Sequence, residues 1–466
     1  MMPGRTDAGV RRLFFRSWRR LLGIMGAGAI GAVLAAGAPR AEQVTTFTLD
    51  NGLEVVVIED HRAPVAVQMV WYRIGAADEP PGKSGIAHFL EHLMFKGTDT
   101  VGPGEFSARV NAQGGSGNAF TAWDYTAYYQ RIASDRLGMV MALEADRMRN
   151  LRLTEDDVTT EREVVLEERA QRTDSDPGAL LGERMRAALF LNSPYRLPII
   201  GWKSEIAALS REDALAWYSR YYAPNNAILI LAGDVTPEQA RELAETHYGP
   251  LAPSTGIAPR IRPQEPPALA ARRVTLADAR VSQPVLRRLY LAPARRPGDQ
   301  KTGAALAVLA ALLGGDGQTS VLAKALQFDS ATAVYTAAHY DGVAIDSGTF
   351  GIIVVPAPGV DLATAQEALD ATLADFLRDG PDPADFERIK MLTRAGEIYE
   401  KDDAEGLANM YGREMATGLS VQDVKDYTAI VEALTPEDVR AAARLVLDPR
   451  ASVTGWLLPD DGKAEP

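Results

Sequence analysis

The chain has 466 residues, a formal net charge of −13, 46% hydrophobic and 24% charged residues, and no cysteine. That length can bury more than one hydrophobic core, and the missing thiols exclude disulfides, thiolate metal sites, a cysteine nucleophile and a cysteine-borne lipid. So acidic a chain is a poor match for nucleic acid or an anionic membrane surface, and neither partner is expected.

The first 41 residues stand apart. Arg11, Arg12, Arg16, Arg19 and Arg20 precede an apolar run rich in Gly and Ala, Leu21 to Ala38, and small residues follow at Ala36-Gly37-Ala38 and Ala41. This is the layout of a secretory signal peptide over 1–41, with cleavage after Ala38 or after Ala41. The run is short for a span and ends in a small-residue site, so it is expected to be removed, leaving no stable membrane anchor. Residues Arg11 to Arg16 resemble a twin-arginine signal only loosely; Sec export is the better fit, and the expected compartment is the periplasm. Seven arginines and one aspartate leave with this segment, so the mature chain is more acidic still.

Beyond it, "VTTFTLDNGLEVVVIED" (44–60) predicts a hairpin turning on Asp50-Asn51-Gly52. Residues 66–75 predict a third strand. Helical patterns cover 84–96, 133–150, 155–172, 178–190 and 210–221, then a strand at 227–233 and a helix opened by Thr236-Pro237-Glu238. The stretch "GPLAPSTGIAPRIRPQEPP" (249–267) reads as an extended linker. The pattern then resumes with a strand near 284–292, helices near 300–314 and 319–327, and strands within 331–356. Helices near 361–379, 382–402, 404–418, 421–433 and 435–447 lead to a last strand at 452–458. Each half opens on strands, continues into helices and closes on a strand. The expected class is α+β. Two similar domains (42–248 and 273–460), each a mostly antiparallel sheet packed against helices, are joined by a Pro-rich linker (249–272). The metal site discussed next belongs to the first.

Only five histidines occur, at 61, 88, 92, 247 and 339, and two of them fall four apart around a glutamate in "HFLEH" (88–92). On a helix His88, Glu91 and His92 share one face. Neutral imidazoles at i and i+4 can share a zinc ion, and the neighbouring carboxylate can hold the water that zinc polarises. The order is His-x-x-Glu-His, the inverse of the commoner zinc helix. Solvated His-rich turns are the bland alternative. Here Phe89, Leu90, Leu93, Met94 and Phe95 predict a buried helix, where uncompensated imidazoles and a carboxylate are costly. A third ligand is needed. In "TEREVVLEER" (160–169), a wheel at about 100° per residue places Glu161 and Glu168 on the stripe of Val164 and Val165, with Glu163 and Glu167 opposite. Glu168 is the expected third ligand and Glu161, two turns earlier, a supporting carboxylate. An ordinary surface helix with i,i+4 ion pairs is the alternative that the histidines disfavour.

These segments resemble the inverted-zincin peptidases of the pitrilysin/insulysin family, in particular the short-chain branch that includes the mitochondrial processing peptidase and bacterial relatives. "GIAHFLEHLMFKGT" (85–98) is similar to that family's metal helix and "EREVVLEE" (161–168) to its acidic helix. "GGSGNAFTAWDYTAYY" (114–129), "SPYRLPIIGW" (193–202) and "YYAPNNAILILAGDV" (221–235) are similar to further blocks. The resemblance is specific over about 44–250 and loose beyond. It implies a zinc endopeptidase acting on unfolded peptides, with one Zn2+ per chain on His88, His92 and Glu168. Glu91 would be the general base, Glu161 the supporting carboxylate, and Asn118, Ala119 and Phe120 an edge strand that pairs with the substrate backbone. It also implies an Arg/Tyr pair, seven residues apart, from a partner half. Here the corresponding stretch "SVLAKALQFDSATAVY" (320–335) carries Gln327 and Val334, with Tyr335 one residue off and Arg287, Arg288 and Tyr290 elsewhere. Gln supplies neither a permanent charge nor a bidentate fork. The expected assembly is therefore a heterodimer with a zinc-free homologous subunit bearing the Arg/Tyr pair. The alternative from another class is a non-catalytic scaffold or peptide-binding subunit of the same family.

Overall fold

The structure is a computed structural model and describes residues 43–400 and 402–460. The signal peptide read over 1–41 lies outside the described residues.

Two sheets are built on one plan. The first contains β1 (Val44–Thr48), β2 (Glu54–Glu59), β3 (Val65–Tyr72), β4 (Ser116–Thr121), β5 (Thr126–Ala133) and β6 (Ala227–Gly233), in the order β1-β2-β6-β3-β5-β4. The second contains β7 (Arg272–Asp278), β8 (Val285–Ala292), β9 (Ala333–Asp341), β10 (Gly348–Pro356) and β11 (Ser452–Pro459), in the order β7-β11-β8-β10-β9. In each, the last strand in sequence is inserted next to β2 or its equivalent β7 and runs parallel to it, β6 to β2 and β11 to β7, with β1 an additional edge strand of the first sheet. The remaining pairs are antiparallel. β6, "AILILAG", is buried at every position because helices cover both faces of the sheet, which is why it reads as an unbroken apolar run. β4 and β9 are the equivalent outer edges.

The helices of the first half are α1 (Ile86–Leu93), α2 (Glu105–Ala112), α3 (Leu137–Asn150), α4 (Glu155–Arg169), α5 (Pro177–Leu189), α6 (Lys203–Ile206), α7 (Arg211–Tyr221) and α8 (Pro237–His247). Those of the second are α9 (Lys301–Gly314), α10 (Leu362–Asp379), α11 (Pro383–Glu400), α12 (Ala404–Ala416), α13 (Val421–Glu432) and α14 (Pro436–Val446). Their starts follow the capping chemistry of the sequence: Thr154, Ser210, Thr236, Ser420 and Thr435 each close a capping box.

The halves exchange helices. α5, from the first half, packs Leu181, Met185 and Leu189 against Val453 and Leu457 of the second sheet. α12, from the second half, packs Leu407, Ala408, Tyr411 and Met415 under Val56, Met69, Trp71 and Ile230 of the first. The fit is close: a Cβ on Gly412 would lie 2.1 Å from the Trp71 ring. Between β6 and β7, the Pro-rich stretch forms no element beyond the end of α8, as its composition predicts. The sequence pattern does not predict β5, β7, α2 or α6, it gives β4 only through the resemblance, and the expected second half starts one residue inside β7. β7 carries Arg272, Arg273 and Asp278 and reads as a charged tail of the linker. α2 and α6 have only 8 and 4 residues, too short for a clear period.

Candidate metal centre

α1 is short, with Ile86, Phe89, Leu90 and Leu93 sunk in the core and His88 and Glu91 buried among them. Its first turn is held from outside. The Glu79 carboxylate accepts the N–H of Gly85 (2.9 Å) and of Ala87 (3.0 Å), satisfying two donors that a helix start leaves unpaired. Gly85 itself stands at φ +90°, where an added Cβ would be 2.5 Å from the Ile200 carbonyl oxygen. Gly201, also at φ +90°, faces it, and its Cβ would be 2.4 Å from the Ser84 oxygen. Only glycine lets these two backbones touch. The contact gives the 193–202 block a physical role: it seats the start of the metal helix.

The acidic helix is bolted to the same place. Arg169, one residue beyond Glu168, is buried and donates to Gly201 O (2.9 Å) and to Glu183 (2.9 Å). Thus α4 grips the backbone that abuts Gly85, and the spacing between Glu168 and the two imidazoles follows. On α4 the buried centre lies at Val158 and Val165. Val164 is 45% exposed, which corrects the two-valine stripe: the core face is rotated toward Val165, and Glu161 and Glu168 stand at its rim, half-buried. Glu163 and Glu167 face solvent.

Glu168 Oε2 lies 3.2 Å from His92 Nε2 and 3.6 Å from His88 Nε2, and one ligand atom from each of the three residues falls within 4.8 Å of the others. Glu168 Oε2 and His88 Nδ1 are buried without a hydrogen-bond partner, so the 3.2 Å approach is a contact and not an aligned bond. Tetrahedral zinc with N and O ligands at its usual bond lengths separates neighbouring ligand atoms by about 3.3–3.4 Å. Two of the observed separations bracket that value, and an orphaned carboxylate oxygen faces two imidazole nitrogens. The donor set fits zinc.

Around it, His92 Nδ1 donates to Glu161 Oε1 (2.9 Å), and Lys96 pairs with the other oxygen of Glu161. This is the carboxylate–histidine arrangement that fixes which imidazole nitrogen is free to bind. The bond from His92, with Lys96 behind it, holds Glu161 down to about 2. Burial, reinforced by the neighbouring His92, brings His88 down to about 4, so it stays neutral with its lone pair available. Burial also opposes charge on His92, but Glu161 and Glu168 outweigh it and raise His92 to about 9. Glu91 is raised above the usual carboxylate range by burial, against the Thr121 hydroxyl that donates to its Oε2 (2.6 Å). Arg172, four residues beyond Glu168, pairs with the oxygen of Glu168 turned away from the imidazoles.

Asn118, Ala119 and Phe120 lie on β4, which pairs with β5 on one side (Asn118↔Tyr129, Ala119↔Tyr128, Phe120↔Ala127) and with no strand on the other among the described residues. Asn118 lines a cavity of about 430 Å³ together with Glu91, His92, Lys96 and Glu161. Ala119 packs toward α1 and Phe120 toward Trp71 on the opposite face, with ring centroids 5.2 Å apart. The sequence reading did not name Thr121, Lys96, Arg169, Arg172 or Glu79. Lys96 and Arg172 carried a signal, for each stands four residues beyond a metal-site residue within the helical patterns expected over 84–96 and 155–172. The others act across 30 or more positions or through backbone and carried none.

In the second half, Gln327 bonds Thr336 through its amide (2.8 Å), and Val334 and Tyr335 are about half exposed on β9 (49% and 47%). Arg287 donates to Gly178 O (2.9 Å), Arg288 pairs with Asp370, and Tyr290 is buried. None of these three is available beside Gln327.

Comparison with known proteins bears on what this arrangement is. Residues 54–202 match the family model described as insulinase (peptidase family M16), and residues 208–393 match the model described as the peptidase M16 inactive domain. The chain is 30% identical over 449 residues to the zinc protease PqqE of Helicobacter pylori, covering 95% of this chain and 99% of that one. This chain belongs to peptidase family M16. It is also 25% identical over 415 residues to the mitochondrial-processing peptidase subunit beta of Lentinula edodes, covering 86% of each. The crystal structure of a protease from Helicobacter pylori superposes with a TM-score of 0.84 at 29% identity, over 90% of this chain and 100% of that one. The paired sheets and exchanged helices are therefore the two-domain M16 frame, and the His-His-Glu group stands in its insulinase half.

Proposed function

We propose that this M16 chain is a zinc-dependent endopeptidase that hydrolyses unfolded peptides. The observation that carries the reading is the convergence of His88, His92 and Glu168 on one point, with the carboxylate of Glu91 on the same helix face. These three residues would hold one zinc ion. When bound, zinc supplies Lewis-acid polarisation of a water and of the scissile carbonyl. The rest is the chain's own work. Glu91 takes a proton from the attacking water and returns it to the leaving amine. Burial raises Glu91 above the usual carboxylate range, a shift in the direction that suits a group that must both accept and give a proton, and Thr121 fixes one of its oxygens. Glu161 orients His92. The open edge of β4, with Asn118, Ala119 and Phe120, offers backbone groups to an extended peptide, which an unfolded segment can match and a folded surface cannot.

The arginine-rich leader supports export to the periplasm, and among the described residues no helix is long and apolar enough to cross a membrane. Gln327 and Val334 support assembly with a zinc-free homologous subunit that contributes an Arg/Tyr pair. The domain limits 42–248 and 273–460 remain our division of the chain, with the two helices exchanged across it.

Elemental analysis and cleavage of a quenched fluorogenic peptide test the reading. We expect one zinc per chain, cleavage abolished by a chelator, and cleavage restored by added zinc. Zinc-replete protein that cleaves no peptide, alone or with a co-purified homologue, favours the scaffold alternative, to which the uncharged Gln327 lends its support. Full activity of the chain as a dimer with itself removes the heterodimer.

A further inference from the structure

A second cavity, of about 370 Å³, lies where the β4–β5 turn meets the β9–β10 turn. Trp123, Arg186, Asp341, Ser347, Thr349 and Arg413 are among its lining residues. Arg186 comes from the exchanged helix α5 and Arg413 from the exchanged helix α12, so the cavity exists only because the halves trade helices. The walls are fixed. Asp124 at the first turn is engaged by Arg262 (2.8 Å), by the Ile345 N–H of the second turn (3.0 Å) and by the Tyr195 hydroxyl.

Arg186 is the group without an explanation. Its guanidinium carbon stacks 3.6 Å from the Trp123 ring centroid, with Phe190 5.3 Å away. It makes no hydrogen bond or ion pair among the described residues. Burial brings its pKa down to about 10, and the Asp341 carboxylate, also on the cavity wall, works against that shift without forming an ion pair. A half-buried guanidinium that is stacked on Trp123, opens on the cavity and has no paired carboxylate offers its planar donors to an anion that enters there. The hydroxyls of Ser347 and Thr349 likewise make no side-chain hydrogen bond among the described residues. Asp341 is exposed, and the charge of Asp124 is already matched. The donors therefore outnumber the acceptors in the cavity.

Its position relates it to the metal centre. The open edge of β4 ends at Thr121, because the carbonyls of Ala122 and Trp123 already accept the N–H groups of Ala76 (2.9 Å) and Ala77 (2.8 Å). A peptide paired along β4 must leave the edge there, beside the cavity. An extended chain advances about 3.3 Å per residue, so only a few residues separate this point from the bond held at Glu91.

Resting on the peptidase reading above, we propose that this cavity is an anion pocket whose Arg186 receives a carboxylate of the substrate peptide. That carboxylate is an Asp or Glu side chain or the free C terminus, and one set of peptides separates the two. A single Glu is walked through an otherwise neutral decapeptide, each form with a Gln twin, and all are made as free acids and as C-terminal amides. Binding is read by fluorescence anisotropy on the zinc-loaded, full-length Glu91→Gln variant, and cleavage on the active protein.

One Glu/Gln pair, or the acid/amide pair, should differ by about tenfold in Kd, the scale of a charge-assisted hydrogen bond. Introducing Arg186→Gln should bring that ratio to about one, and Arg186→Lys should keep part of it. Arg413→Gln, at an exposed position, should lower the ratio about twofold and serves if Arg186→Gln does not fold. A ratio of one at every position, or a ratio that survives both arginine changes, overturns the pocket. Cleavage of all peptides without charge preference overturns the pocket and leaves the peptidase reading standing. Charge-selective binding without any cleavage supports the pocket and overturns the peptidase reading.

Discussion

The two sheets share a strand order, yet among the described residues only one half brings a His-His-Glu group together, and the contrast lies in the helix that follows the equivalent strands β3 and β8. In the second half that helix is α9, "KTGAALAVLAALLG", which buries nine Gly, Ala, Val and Leu residues and no polar side chain. In the first it is α1, "IAHFLEHL", which buries an imidazole and a carboxylate in the same kind of place. α9 needs nothing but apolar neighbours. α1 needs partners of opposite character brought from elsewhere: Glu161 and Glu168 from α4, Thr121 from β4, Glu79 at its start. The frame tolerates either solution, so the fold by itself carries no chemistry; the side chains set on it do.

The contrast can be broken or sharpened by experiment. The largest effect is expected at Glu91. Glu91→Gln should lower kcat by about 10²–10⁴ with zinc content unchanged, whereas no substitution in α9 should act on kcat alone. Steady-state kinetics with metal analysis decides it, and a fully active Glu91→Gln would dissolve the contrast. Next, Glu168→Ala should leave the protein without stoichiometric zinc after dialysis, while Leu309→Ala in α9 should cost about 2–5 kcal/mol of stability and keep the zinc. Denaturant melts and elemental analysis on the same samples separate the two. Glu161→Gln should weaken zinc affinity by about 10–100-fold, the scale for a group that orients a ligating histidine, measured by competition with a chromophoric chelator.

A further contrast is in pH. Before metal enters, Glu161 and Glu168 hold His92 protonated up to about 9, whereas His88, at about 4, is already neutral. Zinc must displace the one proton on His92, so its apparent affinity should rise about tenfold per pH unit from pH 6 and level off above 9. A flat profile between pH 6 and 8 would mean that His92 is not a ligand. Gly201→Ala should lower both stability and zinc affinity, because the added Cβ meets the Ser84 oxygen and pushes α1 away from α4.

Much of the candidate site is legible in the sequence alone. His88 and His92 sit four apart on an apolar helix, a spacing that means one face. Glu161 and Glu168 are seven apart and fall together for the same reason. The wheel misplaced Val164, because periodicity gives the angle between residues but not the direction of the core. Glu79, Arg169 and the Gly85–Gly201 contact were not legible at all. They act through backbone atoms, which no spacing of side chains in the sequence marks.

The sequence by itself determined local things: the two-half α+β plan, the capped helix starts, the extended linker, and which residue types stand at helical spacing in apolar surroundings. Those follow from interactions within a few residues. Only the tertiary structure decided that α5 and α12 cross between the halves, that Arg169 and a pair of glycines fix the distance from Glu168 to the histidines, and that Arg186 stands beside an open edge with no ion pair among the described residues. Contacts of that kind depend on which surfaces bury each other, and burial is a property of the whole chain.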